Sequence, residues 1–391
     1  MSKCCVECFR DSRVRAFVSE NGSQRGCEFC HREGETSIDP AALAPMFEEV
    51  MGCFELEAVA SPVGANLPSF PSTGQPLADL IQRRLQIFGE GPRSEGPPPV
   101  LRLSRLFAEP WQHALLTAIV SARDGRTLPL EQRWVFKGPR HANLSAVGHW
   151  DRFSTSLLKE RRFIPSYTAG EVEMRKILEE ALLLSARQLD NSIALFRARI
   201  GCEPGDLASG ALLAPLPLSE LGAPPFTKTR RGGRVNPPGI PVLYLASDAD
   251  TAVCEVRPYV GAYVSICSWT VDKPVLVADL SNVEPPDTVF GHEDLAWHLE
   301  CRELLEELSL SFALPIDPND WSTQYVPTQY AAEVIRDMGF GGVGYQSVYG
   351  TGVNIALFDE RAAKAAIPVL RRVTGLTYET KPMPNLPGLF T

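Results

Sequence analysis

No stretch of this 391-residue chain stays apolar for the roughly 20 residues that a membrane span needs, which argues against an integral membrane protein. The start, Met-Ser-Lys-Cys-Cys, lacks the basic-then-apolar order of a secretory signal, so a cytoplasmic location is expected. Positive charge is also in short supply: 38 Lys and Arg face 47 Asp and Glu, and the formal net charge is −9. That balance argues against a protein that coats nucleic acid nonspecifically, because neutralising phosphates takes a cationic face. It leaves room for a local cationic pocket. No basic DNA-reading helix is evident, so no direct nucleic-acid partner is expected, and there is no internal repeat. The glycine-rich stretch at 339–344 lacks the GxGxxG of a Rossmann dinucleotide site and leads into a strand.

What is present reads as a multidomain globular chain. It is 44% hydrophobic and 22% charged, and it is longer than the ~250 residues at which single cores stop growing. Residues 1–36 are short, polar and Cys-rich. Residues 37–185 read as a helical module, with amphipathic stretches at 40–56 and 172–189 and Pro/Gly/Ser-rich connectors at 61–76 and 89–99. Residues 186–376 switch to strand patterns at 192–200, 241–246, 263–269, 274–280, 342–346 and 353–358, with helical candidates at 248–257, 292–310 and 328–338. Residues 377–391 form a tail. The expected class is α+β, with a mixed β domain at the C-terminal end.

Cys5-x-x-Cys8, followed after 18 residues by Cys27-x-x-Cys30, has the spacing of two thiolate pairs converging on one tetrahedral ion. Four thiolates would close the coordination shell, so the expected zinc ion is structural. Cys4 and His31 are neighbours able to substitute as ligands. Cys4, Cys53, Cys202, Cys254, Cys267 and Cys301 are scattered, which favours reduced thiols plus one metal site over disulfides.

In the C-terminal half, Asp248 can cap a helix whose apolar positions are Ala252, Val253 and Val256, and this helix places Glu255 just after a strand. Most helical glutamates are merely solvated, so Glu255 alone says little. Strand alternation over 192–200 puts Ile193, Leu195, Arg197 and Arg199 on one face and Ala194, Phe196, Ala198 and Ile200 on the other, making the two arginines a candidate anion seat. The loop Arg230-Arg231-Gly232-Gly233-Arg234-Val235-Asn236-Pro237-Pro238-Gly239 combines close backbone approach with a planar guanidinium fork.

Together, Phe196-Arg197-Ala198-Arg199, the Gly233-to-Gly239 loop, Leu243-Tyr244-Leu245-Ala246, Thr251-Ala252-Val253-Cys254-Glu255-Val256-Arg257-Pro258, Tyr345-Gln346-Ser347 and Asn354-Ile355-Ala356-Leu357-Phe358 resemble the RES domain family, named for its Arg, Glu and Ser residues. The resemblance covers about residues 190–375. It implies an ADP-ribosyltransferase-like fold and consumption of NAD⁺, by phosphorolysis with inorganic phosphate as co-substrate or by hydrolysis of the nicotinamide–ribose bond, as in toxins of toxin–antitoxin pairs. Arg234, Tyr244, Glu255 and Ser347 would then be catalytic, and Arg197, Arg199, Asn236 and Asn354 would bind substrate. Glu255 would stabilise the cationic ribose, Arg234 and Arg197 would hold phosphate, Tyr244 would stack on nicotinamide or orient Glu255, and Ser347 would hydrogen-bond the ribose. Val235 departs from the family, many members of which carry an aromatic residue there. ADP-ribosyl transfer to a protein or nucleic acid, and nucleotide binding without turnover, remain alternatives.

The N-terminal half resembles the HEPN/RES-associated region. HEPN ribonucleases use a closely spaced Arg and His, whereas Arg105 and His113, or Arg140 and His149, are too far apart, so a regulatory role is expected. An antitoxin or other regulatory protein is an expected partner, and homo-oligomerisation is left open.

Overall fold

The structure, a computed structural model, describes residues 2–57, 74–89, 108–121, 129–137, 146–163, 169–206, 208, 210–229, 232–283, 285–315 and 321–377. Most of both expected connectors, Arg105, Arg140, Arg230, Arg231 and all but the first residue of the tail lie outside the described residues. Among the described residues no helix is long and apolar enough to cross a membrane. The chain divides into two compact units, residues 1–151 with 284–304, and residues 152–283 with 305–391.

In the first unit, Thr36–Ile38 is the middle strand of a three-stranded antiparallel sheet, flanked by Cys4–Cys5 and Ser23–Gln24. Helices Ser12–Asn21, Ala44–Met51, Leu77–Leu85 and Pro110–Val120 belong to the same unit. One continuous core runs from Phe9 through Phe47, Ile81 and Phe88 to Leu115, and it includes the N-terminal cysteines. The expected helix over 40–56 is broken. A short 3-10 turn, Pro40–Leu43, leads into helix Ala44–Met51, which ends at Gly52. Phe54–Leu56 is then a strand paired with Trp134–Phe136, an arrangement that buries Phe54 and Trp134.

Asp11 organises the start of this unit. One carboxylate oxygen caps helix Ser12–Asn21 by accepting the Arg13 and Val14 amides at 3.0 and 3.2 Å. The same oxygen accepts the Thr288 hydroxyl at 3.0 Å, and the other accepts the buried Val289 amide at 2.8 Å. A single buried side chain therefore ties the 284–304 segment to the N-terminus.

The second unit is built on a nine-stranded sheet. Its strands are β1 (Ala186–Leu189), β2 (Leu195–Ile200), β3 (Leu243–Ala246), β4 (Tyr263–Val271), β5 (Val275–Asp279), β6 (Gly342–Gln346), β7 (Val353–Leu357), β8 (Ala363–Ala365) and β9 (Val369–Arg372). The order is β8-β4-β2-β3-β7-β6-β5-β1, and β9 lies beside β8 along the same edge of the long strand β4. Only the β5–β6 pair is parallel; the helix α3 (Val326–Asp337) falls within the connection between them. Helix α1 (Ala169–Leu184) precedes the sheet, and α2 (Ala249–Glu255) follows β3 directly.

The alternation expected for β2 is realised: Leu195 packs into one core with Leu243, Trp269 and Leu357, whereas Phe196 and Ala198 pack with Ala246, Ala252 and Ile266. Its first residues are not strand, because Asp190 accepts the Ser192 amide at 2.6 Å and holds a turn up to Ile193. The helix expected over 172–189 stops at Leu184. Buried Ser185 caps it by donating to the Leu182 carbonyl at 2.7 Å, and Ala186–Leu189 instead pairs with β5. Asp248 caps α2 as expected, accepting the Thr251 amide at 2.7 Å.

Replacing Asp11 with Ala leaves the buried Val289 amide and the helix start without an acceptor. It is expected to destabilise the first unit by about 2 kcal/mol or more, read as a lower midpoint in urea unfolding.

Candidate functional site

A cavity of about 320 Å³ opens in the second unit, at the small end of the range for ligand clefts. Strands β2 and β3 supply Arg197 and Tyr244, α2 supplies Glu255, and β7 supplies Asn354. The loop after residue 231 adds Gly233 and Arg234. The sheet register brings these together: Asn354 lies opposite Ala246 of β3 on one side and Tyr345 of β6 on the other.

Glu255, the last residue of α2, is the best-anchored group. Its Oε1 accepts hydrogen bonds from the Ser347 hydroxyl and the Asn354 carboxamide, both at 2.6 Å. Ser347 is itself fixed, since its Oγ accepts the Tyr349 and Gly350 amides at 3.2 and 3.0 Å. Oε2 of Glu255 has no hydrogen bond among the described residues. Glu255 therefore presents one free oxygen on a carboxylate whose other oxygen is held in place.

Around this one carboxylate stand three arginines, Arg197, Arg234 and Arg257. Arg197 donates to the Tyr244 carbonyl at 2.9 Å, and its Nε is buried without a hydrogen-bond partner. Burial, reinforced by the like charge of Arg199, brings its pKa down to about 10, so it remains a cation at neutral pH. Arg234 donates to the Ser311 carbonyl at 3.2 Å and lies over the rings of Tyr325 and Tyr345, 5.1 and 5.8 Å from their centroids. Arg197 and Arg234, neither with a carboxylate partner among the described residues, set two cations beside one carboxylate, a combination that suits an anionic ligand.

The loop carrying Arg234 is clamped from α3. Gln329 donates to the Gly233 and Asn236 carbonyls at 2.8 and 3.1 Å, and Thr328 donates to the Arg234 carbonyl at 2.8 Å. Asn236 is buried, accepts the Tyr244 hydroxyl at 2.5 Å and donates to the Ile240 carbonyl at 2.6 Å. The Tyr244 hydroxyl also accepts the Val235 amide at 3.1 Å, and burial pushes its phenol well above the usual range, so it stays protonated. Gly233 is required here, because a Cβ would collide with the Tyr244 hydroxyl and the Asn236 side chain.

The expected site residues thus divide. Arg197, Arg234, Tyr244, Glu255 and Asn354 line the cavity, and Ser347 reaches it through Glu255. Asn236 staples the loop and holds Tyr244. Arg199 is not among the lining residues; its Nη1 pairs with Glu220 at 2.6 Å, and Glu220 also binds Lys228. Sequence reasoning assigned no role to the lining residues Tyr325, Tyr345, Tyr349 and Arg257. Tyr345 and Arg257 lay inside quoted motifs, two residues from Ser347 and Glu255, whereas Tyr325 carried no local signal.

In the first unit, Cys5, Cys8, Cys27 and Cys30 are buried, with all four sulfurs within 4.8 Å of one another. The closest pairs are 3.3 Å (Cys5–Cys30), 3.4 Å (Cys8–Cys27) and 3.8 Å (Cys5–Cys8), near the ~3.8 Å between sulfurs around a tetrahedral ion bound at ~2.3 Å. These four could hold a metal ion. Cys4 instead turns its sulfur to the Ile38 carbonyl at 3.6 Å, and His31 is exposed.

A nine-stranded mixed sheet with a cavity and a fixed carboxylate defines the second unit as an α+β domain. Residues 216–379 match the family model described as the RES domain. No curated protein matches the chain. Among solved structures, a chain in the crystal structure of the M. tuberculosis MbcT–MbcA toxin–antitoxin complex aligns at 16% identity and a TM-score of 0.30, covering 50% of this chain and 92% of that one.

The four-sulfur cluster predicts about one tightly held metal ion per chain, counted by elemental analysis, and Cys8→Ser should abolish it. Because these sulfurs are part of the first unit's core, metal removal by a chelator should also lower that unit's melting temperature.

Proposed function

We propose that the second unit is an NAD⁺-degrading enzyme with an ADP-ribosyltransferase-like fold, cleaving the bond between nicotinamide and ribose. The observation that carries this reading is Glu255, held on one oxygen by Ser347 and Asn354 and faced by Arg197 and Arg234. Cleavage leaves the bonding electron pair on the nicotinamide nitrogen, releasing a neutral ring and an electron-poor ribose. The free oxygen of Glu255 stabilises that developing charge. Arg197 and Arg234 take the pyrophosphate through charge-assisted hydrogen bonds. Tyr244, protonated and aimed by Asn236, fixes the cavity wall rather than acting as a base. Attack by water yields ADP-ribose, whereas attack by inorganic phosphate yields its 1-phosphate.

The four-cysteine cluster suits zinc, since four thiolates in a closed tetrahedron favour that ion, and zinc there would stabilise the fold without entering the chemistry. A toxin-like role restrained by an antitoxin follows from the RES resemblance.

Purified protein incubated with NAD⁺, with and without phosphate, should release nicotinamide, and the product tells hydrolysis from phosphorolysis. Glu255→Gln keeps the size and the hydrogen bonds of the side chain but not its charge, and should slow release at least ~100-fold. No nicotinamide under either condition refutes the reading; label from NAD⁺ appearing on a macromolecule replaces it with ADP-ribosyl transfer.

A further inference from the structure

Tyr244 and Tyr345 both line the cavity, but only one of them spends its hydroxyl within the protein. That of Tyr244 donates to Asn236 and accepts the Val235 amide. Tyr345 is 5% exposed, yet its hydroxyl has no hydrogen bond among the described residues. A phenol withdrawn from solvent is costly without a partner, and the cavity is the space in which one can arrive. The Tyr325 hydroxyl has no hydrogen bond among the described residues either, but this side chain is only half-buried, so solvent can satisfy it.

The sheet sets Tyr345 in place. It stands opposite Asn354 in the β6–β7 pairing, so the two side chains leave the same face, and Asn354 is the residue that holds Glu255. Its ring packs against buried Phe312, with centroids 5.9 Å apart, and the Arg234 guanidinium lies over it. Burial raises the phenol well above its ordinary range, so the hydroxyl keeps its proton at neutral pH.

Glu255 supplies the complementary half. Its free carboxylate oxygen can only accept, whereas Tyr345 can donate. A sugar hydroxyl does both, so it is the group that satisfies the two residues together. A pyrophosphate oxygen has no proton to offer and would be repelled by the carboxylate, which leaves the phosphates to Arg197 and Arg234.

Resting on the function proposed above, we infer that Tyr345 is a substrate-binding residue: its hydroxyl donates a hydrogen bond to a hydroxyl oxygen of the nicotinamide-side ribose, and the free oxygen of Glu255 accepts the proton of that same group. Tyr345 thereby makes the site selective for a ribose over a deoxyribose at the reacting bond.

Tyr345→Phe removes one oxygen and keeps the ring, its packing on Phe312 and its place under Arg234, so the melting temperature should not fall. The full-length variant should lose about tenfold in kcat/KM for NAD⁺. With NAD⁺ analogues lacking the 2′- or the 3′-hydroxyl of the nicotinamide ribose, the penalty should vanish for one analogue and persist for the other, a pattern that a general disturbance of the cavity would not produce. No penalty with NAD⁺, or the same penalty with all three substrates, overturns the contact. If the wild-type protein releases no nicotinamide, calorimetric binding of ADP-ribose decides: about tenfold weaker binding by Tyr345→Phe would keep the ribose contact and discard the reaction, and equal binding or none would discard both.

Discussion

The second unit depends on holding one carboxylate still. Glu255 sits at the end of a seven-residue helix, a location where side chains ordinarily swing in solvent, yet two donors converge on a single oxygen. Asn354 comes from a central strand and Ser347 from the turn that follows β6, so the sheet itself sets the position of the carboxylate. Asp248 secures the other end of the helix, and Gly352 permits the β6–β7 loop to lie against that cap, since a Cβ there would strike Asp248 and Ser247. Preorganisation of this kind means that little rearrangement is needed when positive charge is brought beside the carboxylate.

The cations are handled differently from the anion. Arg197 is desolvated and left with an orphan Nε, an unfavourable state that an anionic ligand would relieve. Arg234 is supported by the Ser311 carbonyl and by aromatic rings, and among the described residues no carboxylate pairs with it. Arg199, by contrast, is neutralised by Glu220. This contrast sets Arg199 apart from Arg197 and Arg234 more sharply than position along a strand can.

Much of this was legible in the amino-acid order, and the remainder was hidden for identifiable reasons. Alternation predicted the two faces of β2, and the CxxC spacing predicted the sulfur cluster, because both signals are local. The stop of α1 at Ser185 was hidden because residues 186–189 are compatible with either state and pairing with β5 decides between them. The direction of a side chain was equally hidden: Asn236 stands in a ligand-like loop but points back to staple it. Tyr325 entered the site only through the fold, since helix α3 is remote in sequence from the arginine that its preceding residue supports.

The central claim is that Ser347 and Asn354 matter to the chemistry through Glu255. The most direct measurement is nicotinamide release by a Ser347→Ala/Asn354→Ala double variant, compared in the native and Glu255→Gln backgrounds. The account predicts a large loss in the native background and almost none in the Glu255→Gln background, because the group being positioned is already gone. Equal losses in both backgrounds would show that serine and asparagine act independently of the carboxylate, and would contradict it.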